Sequence, residues 1–224
     1  MKKTLWIAIA GALAASVIAA SAQEVLSANA VGYIKKTLPA GGKLVAVSIP
    51  LDSMTEANNV FGRTSIAQEA PVNSWAYFWT GISWAGGMKT TKGWGGLSNR
   101  VIVAGESFFM KGDPADAISR DVTITGEVPD DGTLQRAITG GGNLTSVANP
   151  YPVDFVFGNS SIASNASVDS WAYFWTGASW AGGMKTTKGW GGLSNRLVSA
   201  GEGFFIKEVN TGFTWTNDKP YTWP

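Results

Sequence analysis

Cysteine and histidine are both absent from the 224 residues. Without cysteine there is no disulfide framework and no thiolate nucleophile, so an exported chain would be stabilised by packing alone. Without histidine the commonest general base and the commonest metal ligand are missing together. Charge is sparse, at 15% of residues, and nearly balanced, with 17 basic and 16 acidic side chains. Long helical periodicity is also missing beyond residue 22, which leaves short strands as the expected building blocks.

What is present begins with a leader. Lys2 and Lys3 precede an apolar run over 5–20, and Ala20-Ser21-Ala22 supplies small residues at a cleavage site before Gln23. Gly, Ala and Ser crowd the second half of the run and no stop-transfer charges follow. Residues 1–22 therefore read as a cleaved signal peptide, with no stable membrane span after cleavage. The expected location is secreted: extracellular, at the cell surface, or in the periplasm. With Lys2 and Lys3 removed, 15 of the 17 basic residues remain against 16 acidic ones. Net charge then points to no polyanionic partner.

The mature chain is a duplication. Residues 32–50 (GYIKKTLPAGGKLVAVSIP) align with 132–150 (GTLQRAITGGGNLTSVANP) at an offset of 100. From VFGRTSIA (60–67) and VFGNSSIA (156–163) onward the offset is 96, and it holds through AGESFFMK (104–111) and AGEGFFIK (200–207). Apolar and β-branched runs are cut by Gly, Pro, Asn and Asp at short intervals. The expectation is an all-β chain of two tandem homologous units, 23–131 and 132–224, each a small β-sandwich or β-barrel, joined at the turn PDDG (129–132). The one helical turn expected lies over 55–60.

The succession TLPAGGKLVAVSIPL, then a Tyr-Phe-Trp-Thr-Gly hairpin, then AGESFFMK, then TITGEVP resembles a class of secreted bacterial β-repeat proteins. Units of that class open with a Gly-x-Leu strand ending in Pro and close with a Gly-x-x-Phe-Phe strand. The resemblance covers nearly all of the mature chain. It implies export and an all-β fold, and it implies no activity.

The sharpest feature is SWAYFWTGISWAGGMKTTKGWGGLSNR, which runs over 74–100 and returns over 170–196 with 26 of 27 positions identical, whereas only 6 of 19 are identical between 32–50 and 132–150. Two readings fit the contrast: a surface of defined chemistry held the same in both units, or a recent copying event in the DNA. Thr80-Gly81 suits a two-residue turn, which would set Trp79 opposite Ile82 and Tyr77 opposite Trp84. Alternation then gathers Trp75, Tyr77, Trp79 and Trp84 on one face, with Ala76 and Phe78 on the other. Aromatic rings bury about 150–250 Å² each, so the aromatic face is the expected core for Tyr77, Trp79, Trp84 and their copies.

GGMKTTKGWGGLSNR reads instead as a Gly-rich loop. Either it holds Trp94 near the surface among Lys89, Lys92 and Arg100, or Trp94 folds over the end of the core as a lid. The candidate ligand-binding residues are Trp84, Lys89, Lys92, Trp94, Asn99 and Arg100, with Trp180, Lys185, Lys188, Trp190, Asn195 and Arg196 in the second copy.

Catalytic chemistry is hard to build from this inventory. No residue set has catalytic or metal-binding spacing, no cofactor motif is present, and PDDG reads as a β-turn rather than a calcium loop. A glycosidase needs two acids flanking one bond, but Glu106 and its copy Glu202 supply one acid per unit. The expectation is a non-catalytic cell-surface or extracellular-matrix protein that binds a polysaccharide or cell-envelope polymer through the duplicated loops. The alternative is a structural protein that self-assembles into oligomers or fibres through its tryptophan-rich surfaces. Nucleic acid fits export and a near-neutral balance poorly.

Overall fold

The computed structural model describes residues 30–222, so the leader expected over 1–22 lies outside them. The first unit contains β1 (Val31–Leu38), β2 (Val45–Ser48), β3 (Asn59–Val60), α1 (Ser65–Glu69), β4 (Trp75–Trp79), β5 (Trp84–Met88), β6 (Val101–Ile102), β7 (Ser107–Lys111) and β8 (Arg120–Glu127). The second repeats the order with β9 (Thr133–Ile138), β10 (Asn143–Ala148), β11 (Phe155–Val156), α2 (Ser161–Asn165), β12 (Trp171–Trp175), β13 (Trp180–Met184), β14 (Leu197–Val198), β15 (Gly203–Glu208) and β16 (Phe213–Asp218).

Each unit is built on an antiparallel four-stranded sheet, ordered β2-β7-β4-β5 in the first and β10-β15-β12-β13 in the second. A long two-stranded ribbon, β1 with β8 or β9 with β16, closes the unit, and a short pair, β3 with β6 or β11 with β14, fills the remaining side. The chain is thus all-β, with two similar β-sandwich-like units in tandem.

The helical turn expected over 55–60 is absent: 55–58 are bends and 59–60 form β3. Helix forms instead at α1 and α2, five residues each, too short for periodicity to announce. Ser160 Oγ accepts from Ala163 N at the start of α2, and α1 is tied to the ribbon by Thr123 N donating to Glu69 Oε2 and Thr125 N donating to Ser65 Oγ.

Two separate cores result. In the first, Phe61, Phe78 and Phe108 pack edge-to-face and stacked at centroid distances of 4.7–5.6 Å, joined by Ile66, Ala67 and Trp94. Phe157, Phe174, Phe204, Ile162, Ala163 and Trp190 repeat the arrangement in the second, where Trp215 of β16 adds a further buried ring. The inward face of β4 is therefore Ala76 and Phe78, and that of β12 is Ala172 and Phe174.

This reverses the expected assignment of faces. The face carrying Trp75, Tyr77 and Trp79 is only half-buried and turns away from its own unit's core. Alternation was read correctly, but the apolar layer that covers β4 comes from Phe61, α1 and Trp94, which are distant in the chain. The hairpin register also differs, because Trp79 faces Trp84, Phe78 faces Ala85 and Tyr77 faces Gly86 across a four-residue loop. Thr80 N donates to Ser83 O and Ser83 N to Thr80 Oγ1, closing that loop. A shift of two residues preserves facial parity, so the set of rings sharing a face survives the change while Ile82 is left 89% exposed at the tip.

The outward aromatic faces meet each other. Trp79 Nε1 donates to Leu144 O at 2.8 Å and Trp175 Nε1 donates to Leu44 O at 2.9 Å. Ala148 N bonds Gly105 O and Ser48 N bonds Gly201 O. These contacts are reciprocal, each the image of the other under exchange of the units, which is the signature of a two-fold relation. Near that axis Ser107 Oγ lies 2.6 Å from Ser146 Oγ. The PDDG connection is held by Tyr151 Oη and Tyr221 Oη, which donate to Asp131 O and Pro129 O.

Candidate functional site

The loop half of the repeated string is ordered by its own polar residues. Thr90 N bonds Gly93 O, and Gly93 N returns to Thr90 O, a tight turn that Gly93 permits by adopting φ 101°. A 3-10 turn at Gly95–Leu97 follows, and Trp94 just before it swings inward. Trp94 is 2% exposed and Trp190 is 4% exposed, each with its ring edge-on to Phe61 or Phe157 at about 5 Å. Their indole N–H groups donate to Ala67 O and Ala163 O. The surface placement considered for Trp94 and Trp190 is corrected by this: both are core residues, beyond the reach of an external ligand.

Lys89 and Lys185 are also engaged. Lys89 Nζ donates to the carbonyls of Ala67, Gln68 and Ala70 at 2.6–3.0 Å, and Lys185 Nζ donates to those of Ala163, Ser164 and Ala166. Each ammonium closes the C-terminal end of a five-residue helix, where carbonyls lack intrahelical partners and the helix dipole favours a cation. Burial pulls the Lys89 pKa below the ordinary lysine value.

Arg100 Nη2 donates to Glu106 Oε1 at 2.5 Å and its guanidinium sits 4.3 Å over the Phe78 ring, while Arg196 pairs with Glu202 and covers Phe174. The repeated acid thus has a structural partner in each unit. Lys92, Asn99, Lys188 and Asn195 are exposed, and among the described residues their side chains make no hydrogen bond or ion pair with protein. The twelve candidates therefore do not converge. Three pairs hold the fold, two pairs point to solvent, and only Trp84 and Trp180 enter a concave surface.

That surface is the seam between the units. One cleft of about 370 Å³ is lined by Trp79, Trp84, Leu144, Tyr173, Trp180 and Phe205. The other, about 410 Å³, is lined by Trp175, Trp180, Leu44, Tyr77, Trp84 and Phe109. Exchanging the units converts one set into the other, so the clefts are two-fold images. Trp84 and Trp180, 44% and 45% exposed, contribute to both. Phe109 and Phe205 form the floor, with T-shaped contacts to Trp84, Trp175 and Trp180 in one case and to Trp79, Trp84 and Trp180 in the other, at 5.5–6.2 Å.

The glycines explain how the rings are laid out. A methyl at Gly86 would stand 2.6 Å from Tyr77 Cδ1, and one at Gly182 would stand 2.7 Å from Tyr173 Cδ1, so each tyrosine lies across the neighbouring strand only because that position is bare. Gly87 serves the opposite face, where Leu97 approaches to 3.1 Å of the corresponding point. Beyond each cleft the rings continue along the strand, with Trp75 parallel to Tyr77 at 5.8 Å and Trp171 parallel to Tyr173 at 5.9 Å.

Charge enters the seam only at its margins. Lys36 is half-buried near Glu202 and Asp154, and desolvation lowers its pKa against the pull of those carboxylates. Arg136, its counterpart, is likewise lowered by burial, with the Glu106 charge opposing. Among the described residues no cluster of three metal-ligating side chains exists, and no helix is long and apolar enough to cross a membrane. Comparison with protein-family models, with curated proteins and with solved structures finds no match.

Proposed function

We propose that the chain is a secreted, non-catalytic protein that binds glycan on the aromatic seam between its two units. The observation carrying this reading is the pair of concave clefts in which half-exposed indole and phenol rings are fixed by glycines and by inter-unit hydrogen bonds. Flat rings suit the apolar C–H faces of sugars, and concave, mostly apolar walls with a few polar groups are the general form of a small-ligand site. The leader and the resemblance to secreted β-repeat proteins support export. The pairing of Glu106 with Arg100, and of Glu202 with Arg196, leaves each motif acid occupied, which supports a non-catalytic role.

Retention on a glycan array tests the reading. The double variant Trp84→Ala/Trp180→Ala is expected to lose retention while keeping its circular dichroism spectrum, and Lys92→Ala/Lys188→Ala is expected to keep both. Retention by the tryptophan variant, or none by the native chain, would overturn it.

A second reading, self-assembly, draws on β5 and β13. Both are outer strands of their sheets, paired on one side only, and Gly-rich edges of this kind can template further strands. Its tryptophan faces, however, already meet within one chain. Light scattering that rises with protein concentration would favour it.

A further inference from the structure

Resting on the glycan reading, we propose that the chain carries two equivalent sites for a neutral, flat-faced sugar, one in each cleft, which share Trp84 and Trp180 and hold their ligands in opposite orientations.

Neutrality follows from the walls. Neither cleft is lined by a charged side chain, so an anionic sugar would lose hydration there without gaining a counter-charge. The polar groups on offer are uncharged. Among the described residues the indole N–H groups of Trp84 and Trp180 donate to no protein acceptor, unlike those of Trp79 and Trp175. The Tyr77 and Tyr173 hydroxyls are without a protein partner too, and a phenol is a donor at neutral pH. A sugar with equatorial substituents puts its C–H groups on two flat faces and its hydroxyls on the rim, which suits apolar ring walls that carry a few uncharged donors.

Equivalence and opposition follow from the two-fold relation. Each cleft has its own tyrosine and leucine, Tyr77 with Leu44 and Tyr173 with Leu144, and the two share the central indoles. A sugar chain has a direction, so two images of one site read it in opposite senses. The parallel Trp75–Tyr77 and Trp171–Tyr173 pairs continue each cleft along its strand, with Lys111 Nζ 5.6 Å from the Trp75 ring in the first. Because every bound sugar touches both units, occupancy also clamps them together.

Titration calorimetry of the full mature chain with cellohexaose, a neutral β-linked glucose oligomer, tests the inference. The native chain is expected to take up two equivalents. Tyr77→Ala and Tyr173→Ala are each expected to leave one equivalent at the native affinity, whereas Trp84→Ala weakens both sites by about tenfold. Thermal unfolding recorded on every variant guards against loss of fold, and Leu44→Arg, which crowds a single cleft without altering β4, replaces Tyr77→Ala if that chain does not fold. One equivalent in the native chain, or a tyrosine change that removes all uptake, or a Trp84 change that spares one site, would overturn the shared twin-site arrangement. Array retention of some other glycan without uptake of cellohexaose would overturn the neutral flat-faced assignment and leave the glycan reading standing. Absence of retention on any glycan would remove the reading beneath it.

Discussion

Trp84 and Trp94 belong to the same repeated string, and their fates are opposite to those their neighbours suggest. Trp84, in the β-prone hairpin, ends half-exposed on a seam. Trp94, set among glycines and lysines, ends in the core with its N–H on a helix carbonyl. A tryptophan is buried where a complementary surface exists for it, and the residues flanking it in sequence do not reveal that surface. Here the core partners of Trp94 are Phe61 and Ala67, far back in the chain, while Trp84 packs on Trp79 and Phe109 of its own unit and on Phe205 of the other.

The largest expected effect separates these two rings. Trp94→Ala removes a buried ring and one of the two side-chain hydrogen bonds to the Ala67 carbonyl, and should cost about 3–5 kcal/mol in denaturant unfolding. Trp84→Ala should cost about 1 kcal/mol, its main effect falling on ligand retention. Equal losses at the two positions would break the distinction between core and seam.

The lysines give a contrast of middle size. Lys89→Met strips the ammonium from three carbonyls and should cost about 1–3 kcal/mol. Lys92→Met, at an exposed position, should stay within about 0.5 kcal/mol of the native chain. Chemical denaturation of both variants sharpens the division between residues repeated for structure and residues repeated without a visible structural role.

The smallest effect concerns glycine. Gly86→Ala forces Tyr77 off its strand and should cost about 1 kcal/mol. Gly96→Ala, where the added methyl meets no atom within 4 Å, should be neutral or slightly stabilising in the same thermal melts. A neutral Gly86→Ala would mean that the tyrosine is not held by the bare strand.

The fold class was legible because β-strand alternation and the internal repeat are properties of residue order alone. Facial parity on β4 was equally legible, since it needs only a period of two. Which face turned inward was not, because both faces are covered, one by its own unit and one by the other. The short helices escaped notice for lack of length, and with them the role of Lys89, which makes sense only once three helix-end carbonyls stand around it. Of the candidate site, Trp84 and Trp180 survive as residues on a concave surface. Tyr77, Phe109, Leu44 and their counterparts were missed as cleft residues because the clefts need both units. The signal that pointed to them was the paired glycines of WAGGM, which look like a loop in sequence and serve as clearance for a ring in the sheet.

The matching motifs AGESFF and AGEGFF differ at one position, Ser107 against Gly203, and both residues lie at the meeting line of the units. A Cβ on Gly203 would fall on the Ser107 side chain, so only one of the two can carry one. Two separate identical subunits would face that line with the same residue from each side, and would have to choose glycine. Covalent fusion lifts the constraint: the tandem keeps a serine on one side, bonds it to Ser146, and gains a hydroxyl pair that no pair of identical subunits of this shape can hold.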